Sequence, residues 1–135
     1  MKRFAPALLV ALTLAGCTQA EPSSVENFTG AEAAVAEKVE ELETAGKRSN
    51  PEDICSKILA KELVDQLKAG GTDCTTEMQK AIEDADDFDL EVLDVNVTGT
   101  TATARVRRGE DGPTETMQFT RENGKWRATA LSTSQ

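Results

Sequence analysis

Apolar residues recur every three or four positions in the chain after residue 30, a spacing that places them on one face of an α-helix. In the first such segment these residues are Ala31, Val35, Val39 and Leu42. Thr29 and Glu32 match a capping box, in which each side chain bonds a backbone N–H at the start of the helix. The pattern therefore predicts a first helix over 31–45, ended by Gly46.

A second helix is predicted to follow at once. Asn50 can cap it, and Pro51 suits the first turn because its missing N–H would have no partner within the helix. Its apolar stripe consists of Ile54, Ile58, Leu59, Leu63, Val64 and Leu67, and it ends at Gly70-Gly71. A third, shorter helix is predicted from about 74 to 84, with Met78, Ala81 and Ile82 facing inward.

After Asp84 the apolar residues alternate with polar ones, which is the period of a half-buried β-strand. The first strand starts with the inward set Phe88, Leu90 and Val92, and the phase then slips by one residue to Leu93, Val95 and Val97. A one-residue slip inside a strand predicts a β-bulge and a bend.

Three further strands are predicted after a turn at Thr98-Gly99. Their inward residues are Ala102, Ala104 and Val106, then Met117 and Phe119, then Trp126, Ala128 and Ala130. A polar loop over 109–113 and the hairpin signal Asn123-Gly124 separate these strands. Helices followed by an antiparallel meander predict the α+β class, with N-terminal helices packed on a curved four-stranded sheet.

The amino terminus has a different pattern. Lys2 and Arg3 precede an apolar run over 4–14, which is shorter than the roughly 17–25 residues of a spanning helix. The run ends in Leu14-Ala15-Gly16-Cys17, which resembles the lipobox of bacterial lipoproteins. The resemblance implies cleavage before Cys17 and a diacylglyceryl group on its sulfur. A transmembrane helix, and a secreted protein cut near Ala15 or Gly16, are the alternatives.

The lipobox divides the chain into a signal peptide at 1–16, a lipidated cysteine and flexible tether at 17–29, and a domain at 30–135. Two acyl chains hold a protein stably on a bilayer. The expected location is therefore the cell membrane, on its extracytoplasmic face. Thr18, where some lipoproteins have Asp, favours outer-membrane sorting by family analogy, and the choice between inner and outer membrane stays open.

The charge and composition of the chain argue against several classes of partner. Without residues 1–16 the chain has 13 basic and 24 acidic residues, a formal net charge of −11. This argues against nucleic acid, which needs a basic surface, and against basic clusters on anionic lipid. The chain has no histidine, and its acids lack the spacing of a calcium loop, so neither a metal nor a cofactor is expected.

Two cysteines, Cys55 and Cys74, remain if Cys17 is lipidated. An even pair in an exported protein usually forms a disulfide, and a loop of this length is stabilised by about 3 kcal/mol in the chain-entropy model. Two thiols without histidine do not make a zinc site, and a redox-active pair usually has the C-x-x-C spacing. We therefore predict a structural disulfide that ties the start of helix 2 to the start of helix 3.

Three segments resemble small exported bacterial members of the nuclear transport factor 2-like superfamily, which has a cystatin-like α+β cone. They are Ile54-Cys55-Ser56 with Cys74, the strand-turn-strand over 95–106, and the hairpin over 122–127 with Trp126. The resemblance covers about residues 30–132. It implies a curved sheet packed on helices with a pocket between them, in a family of isomerases, cyclases, dehydratases and proteins that only bind or dimerise.

Enzymes of that superfamily use an acid or a histidine inside the cone, often with a tyrosine, and this chain has no histidine and no tyrosine. Four acids lie near the first strand, where their polar phase predicts that most face water: Asp87, Asp89, Glu91 and Asp94. Ser56 and Ser132 have no base partner in the sequence. We therefore expect a protein that is not an enzyme.

Several residues keep two interpretations. Trp126 either closes the core against helix 1 or 2, or lines a pocket mouth with Met117 and Phe119. Four arginines either form a basic stripe or pair across strands with Glu91 and Glu115: Arg105, Arg107, Arg108 and Arg127. The small residues of the sheet leave room that either a close helix or a cavity occupies.

The expected function is a lipid-anchored envelope protein whose domain holds a small apolar ligand or a protein partner. The alternative is a structural module that forms a homodimer through the sheet face. An isomerase- or cyclase-like enzyme is the third hypothesis.

Overall fold

The computed structural model describes residues 24–85 and 88–133. A 3-10 turn at Ser24–Asn27 precedes the helices α1 (Gly30–Lys47), α2 (Pro51–Asp53), α3 (Lys61–Ala69) and α4 (Cys74–Asp84). The strands are β1 (Leu90–Thr98), β2 (Thr101–Arg108), β3 (Thr114–Glu122) and β4 (Lys125–Thr133). They form an antiparallel meander in the order β1-β2-β3-β4, and the helices pack on the sheet. The predicted α+β class is confirmed.

Helix α1 does not use the predicted capping box. Thr29 occupies the N-cap position, but its side chain makes no capping hydrogen bond. Gly30 follows with a φ of +60°, a left-handed conformation that turns the chain between the Thr29 hydroxyl and the first helical N–H groups. The capping-box prediction is therefore wrong.

The carboxyl end of α1 lies just beyond the predicted stop. The helix continues through Gly46 to Lys47, and Ser49 then adopts a φ of +52°. This left-handed residue lets the Asn50 N–H donate to the carbonyl of Ala45 at 2.9 Å, which closes the helix end.

The predicted second helix is not continuous. Asn50 does cap its first turn, since its Oδ1 accepts the Asp53 N–H at 3.2 Å. A wider π-helical turn follows at Ile54–Ile58, and the chain is extended at Leu59 and Ala60 before α3 begins. The Ala60 N–H donates to the Ala128 carbonyl at 2.8 Å, so a tertiary contact with the β4 edge replaces the helical pattern.

Strand β1 contains the predicted bulge, because the register with β2 shifts between Val92 and Asp94. The extra residue is Leu93, whose exposed fraction is 38 %. The prediction that Leu93 faces inward is wrong, because the bulge turns its side chain outward. Val95 resumes the buried set after the bulge.

Strand β4 has a phase change that the sequence pattern did not indicate. Ala128 lies opposite Phe119 on the buried face, but Ala130 lies opposite Gln118, which is exposed. The shift moves Ala130 away from the core face, where it was predicted, and brings Leu131 against the core.

The centre of the core lies under α1. Val35, Ala36 and Val39 are at most 1 % exposed, and they share one cluster with the small sheet residues Ala104 and Ala128. Helix α1 therefore fills the room above these alanines. Residues 24–28, expected to belong to a tether, also contribute, since Val25 and Phe28 pack against the core.

Candidate functional site

A cavity of about 100 Å³ remains between the sheet and the helices, and one of its walls, Met117, is the cross-strand neighbour of Ala104. We call it the interior cavity. Its walls are apolar except for Arg108, and they consist of Leu42, Ile54, Met78, Ala81, Ile82, Phe88, Leu90, Met117 and Leu131. Ala81 is exposed and Arg108 is half-buried, so the space reaches solvent at this side, whereas the buried Leu42, Ile54 and Met117 offer contacts to apolar atoms. The structure thus has a filled centre and an open end.

Gly46 sets how closely Phe88 approaches α1. A Cβ atom built on Gly46 would overlap the Phe88 ring, so the ring lies directly against the helix backbone. Phe88 and Leu42, which lies on α1 one turn before Gly46, both line the interior cavity. The role of Gly46 is this close approach, since α1 continues past it.

The disulfide Cys55–Cys74 is present and confirms the predicted pairing, with its two Cα atoms 6.1 Å apart. It joins the π-helical turn to the start of α4. Ile54, beside Cys55, and Met78, one helical turn after Cys74, both line the interior cavity. The bond therefore fixes two walls of the cavity relative to each other.

An ion pair lies at the rim of the interior cavity. The Arg108 Nε is 3.1 Å from a Glu115 carboxylate oxygen, and their side chains are 40 % and 24 % exposed. In the loop after β2, Gly112 lies so close to the Arg108 backbone that a Cβ there would overlap the Arg108 carbonyl oxygen. A charged pair therefore borders the apolar space without entering its centre.

Of the four acids near the first strand, two form ion pairs and one accepts a hydrogen bond from an amide. Asp89 lies 2.5 Å from the Lys47 ammonium group, and Glu91 pairs with Arg107 across the strands. Asp94 is half-buried, and Asp87 lies outside the described residues. Among the residues that the structure describes, no charged side chain is buried.

Lys47 links α1 to the start of β1. Its hydrogen bonds to Asp89 and then to Glu43 raise the pKa of the Lys47 ammonium group above its usual 10.5. Glu43 also accepts the Leu90 N–H at 2.6 Å, so this cluster holds the first residue of β1 against the helix.

The three residues predicted to line a pocket are all buried but do not meet in one space. Met117 lines the interior cavity. Phe119 contributes to a groove at the other end of the sheet. Trp126 is 5 % exposed, packs in the core cluster and lines neither space.

Sequence reasoning missed Leu131 and Arg108 as cavity residues. The alternation along β4 predicts that Ala130, and not Leu131, faces the core, because the sequence pattern does not indicate the register shift. The one sign in the sequence is that Leu131 is an apolar residue directly after Ala130. Arg108 was considered for a basic stripe or an ion pair, and its pair with Glu115 is what the structure shows. Arg127 instead donates to the Ser56 carbonyl at 2.9 Å.

A second space, of about 570 Å³, is an open groove that crosses all four strands beside α3. We call it the polar groove. Most of its walls are threonine, asparagine and glutamine side chains, so its chemistry is the opposite of that of the interior cavity.

Within residues 24–85 and 88–133, no group of three His, Cys, Asp or Glu side chains is arranged to hold a metal ion. None of the helices in these ranges is long and apolar enough to span a membrane.

No family model matches the chain, and no curated protein and no solved structure shows significant similarity to it. What the structure shows is an α+β fold, with its helices packed on a four-stranded antiparallel sheet.

Proposed function

We propose that this protein is a bacterial lipoprotein, anchored through a diacylglyceryl group on Cys17 to the extracytoplasmic face of a membrane. The Leu-Ala-Gly-Cys sequence after a short apolar run supports the anchor. The disulfide Cys55–Cys74 supports export, because disulfides persist in oxidising compartments. The seven-residue step from Cys17 to Ser24 can extend at most about 25 Å, which would keep the domain near the bilayer.

The domain of this lipoprotein is a binding module whose ligand is a small apolar molecule. The observation that carries this proposal is the interior cavity, which is lined mostly by apolar side chains from both layers of the fold. An engineered apolar cavity of about 150 Å³ stays dry and binds benzene or xenon. The cavity here is smaller, so its ligand would be no larger than benzene.

Binding fits the site better than catalysis does. Arg108 is the one charged residue among those that line the interior cavity, and it pairs with Glu115. A general acid or base would have to reach a substrate held among the apolar walls.

The family assignment belongs to the same proposal. We infer membership of the nuclear transport factor 2-like superfamily, supported by the three resembling segments and by the order of helices followed by an antiparallel meander. The cavity between sheet and helices agrees with the pocket that this resemblance implies.

The ligand proposal is tested by the thermal unfolding of the full chain with and without benzene. We expect benzene to raise Tm, because a ligand that binds only the folded state stabilises it. Leu131→Phe would fill the interior cavity and abolish the rise, whereas the control Leu93→Phe, at the exposed bulge, would keep it. Equal shifts in both variants, or no shift in the unsubstituted chain, would contradict the proposal.

The anchor is tested by fractionating host cells that express the full chain or Cys17→Ser. We expect the unsubstituted protein in the membrane fraction with incorporated labelled palmitate, and the variant without label. Cys55→Ser is the matched control, because it removes a cysteine without touching the lipobox. Membrane attachment and processing that are unchanged in Cys17→Ser would contradict the anchor.

A further inference from the structure

The sheet face opposite the core has two halves of different chemistry. Toward the interior cavity it carries charged cross-strand pairs, with Glu91 bound to Arg107 and Asp94 in register with Arg105. Toward the other end it carries two cross-strand rows of uncharged side chains: Asn96, Thr103 and Gln118 in one row, and Thr98, Thr101 and Thr120 in the other. Each of these six is exposed or half-buried, while the residues between them on β2 and β3 are buried.

These two rows supply half of the lining of the polar groove, which we call its floor. The rest of the lining consists of the buried Ala102 and Phe119, of Thr129 on β4, and of Glu62, Leu63 and Gln66 on α3, which we call the α3 wall. The volume of about 570 Å³ is within the range of ordinary ligand clefts. Charged residues make up 29 % of the chain, yet Glu62 is the only one that lines this groove among the described residues. Depletion of charge is a property of the centres of binding surfaces.

The side chains of the floor define the ligand chemistry. A threonine hydroxyl and a carboxamide can both donate and accept hydrogen bonds, as a sugar hydroxyl can. Thr101 and Thr120 already donate to backbone carbonyls of the β1–β2 hairpin, which leaves their oxygens as acceptors. An anionic ligand would meet a strongly acidic chain and find no cation in the groove, whereas a cationic ligand would find only Glu62. The charge balance therefore selects a neutral ligand that is rich in hydroxyl groups.

We propose that the polar groove binds a neutral glycan chain. The site is separate from the interior cavity and does not depend on its ligand. Threonine and amide side chains on neighbouring strands present hydrogen-bonding groups at a regular spacing, which suits a linear polymer of hydroxylated units lying across the strands.

The proposal is tested by NMR titration of the isotope-labelled full chain in detergent micelles with N-acetylchitotetraose, a neutral tetrasaccharide. We expect amide shifts at the two rows and at the α3 wall. Tetragalacturonate, an anionic tetrasaccharide, is expected to leave these amides unchanged at the same concentrations.

A matched pair of variants locates the contact. Thr103→Val removes one hydroxyl from the middle of the groove floor and should raise the Kd for N-acetylchitotetraose about fivefold, as the loss of one hydrogen bond predicts. Thr114→Val makes the same substitution on β3, outside the groove, and should leave the Kd unchanged. Spectra of both variants outside the groove should match that of the unsubstituted chain.

Three results would each overturn the proposal. One is the absence of groove shifts with N-acetylchitotetraose. Another is an equal response to tetragalacturonate. The third is a shift of the groove amides with protein concentration before sugar is added, which would identify the face as a contact between two copies of the chain.

Discussion

The centre of the core and its open end are built from different side chains and have different consequences. Under the middle of α1, the small residues Ala104 and Ala128 let the helix lie close to the sheet, and the space is filled. At the open end, which begins at Met117 beside Ala104, the larger Met117, Leu131 and Phe88 surround a volume that stays open. Small residues therefore do not create the cavity here, because a helix approaches to fill the room that they leave.

The open end is also where the chain departs from regular structure. A bulge at Leu93 and a register shift before Leu131 bend the sheet on both sides, and the disulfide holds the helical layer in place. We interpret the cavity as the space left where a bent sheet and a cross-linked helical layer do not converge.

Removal of the disulfide is expected to have the largest effect. Cys55→Ala with Cys74→Ala should lower the free energy of unfolding by about 3 kcal/mol, because the unfolded chain regains the freedom of the closed loop. Hydrogen exchange should accelerate in α2 and α4 more than in the middle of α1. The exposed Ser56→Ala is the control, and uniform acceleration along the chain would contradict a local role of the bond at the cavity end.

The second-largest effect is expected from substitutions by larger side chains, which should lower the free energy of unfolding at the filled centre and not at the open end. Ala104→Leu at the filled centre should lower the free energy of unfolding by about 2 kcal/mol, because a packed site has no room for added methylenes. Leu131→Phe at the open end should change it by less than about 0.5 kcal/mol, since the ring can enter the interior cavity. Denaturant titration measures both, and equal losses would show that the filled centre and the open end are packed alike.

Gly46→Ala should have a smaller effect on stability and a clear one on binding. The new Cβ would displace the Phe88 ring, while the better helix propensity of alanine, about 1 kcal/mol, offsets part of the strain. We expect a net loss of about 1 kcal/mol and a weaker thermal shift with benzene. Gly70→Ala, whose Cβ would meet only ordinary contacts at 3.4 Å or more, is the control. Unchanged benzene binding in Gly46→Ala would contradict the assignment of Phe88 as a wall of the interior cavity.

The smallest expected effect is a pH dependence from Lys47. Its pKa is raised in the folded protein, so its stabilising contribution is complete below the unfolded value of 10.5 and is lost as pH rises through the raised pKa. The pair is exposed, so the change in Tm should be slight. Lys47→Arg keeps its charge and should show a smaller fall in Tm above pH 10.5. An identical fall in Tm in the unsubstituted chain and in Lys47→Arg would show that Lys47 does not cause it.

Local signals predicted the parts of the fold whose structure depends on near neighbours. Helix α4 is such a part, since Asp73 caps it through the Thr76 N–H. The hairpin at Asn123 and Gly124 is another, and both residues have the positive φ that a tight two-residue turn requires. These features are encoded within a few residues of the sequence.

The remaining features depend on contacts between distant segments. The break at Leu59 and Ala60 exists because the edge of β4 offers the Ala128 carbonyl, which the helical stripe in the sequence does not reveal. The interior cavity depends on the close packing of the Phe88 ring against Gly46, which are far apart in the sequence. The sequence therefore predicted Met117 as a lining residue but not Phe88. The polar groove required the register of four strands, because only that register aligns its two rows.

The central claim is that the space between sheet and helices is open at one end and accepts an apolar molecule. A crystal of the full chain pressurised with xenon tests it most directly. We expect a xenon atom in contact with Met117, Leu131 and Phe88, and none among the alanines under α1. Side chains that fill this space, with no xenon bound there, would contradict it.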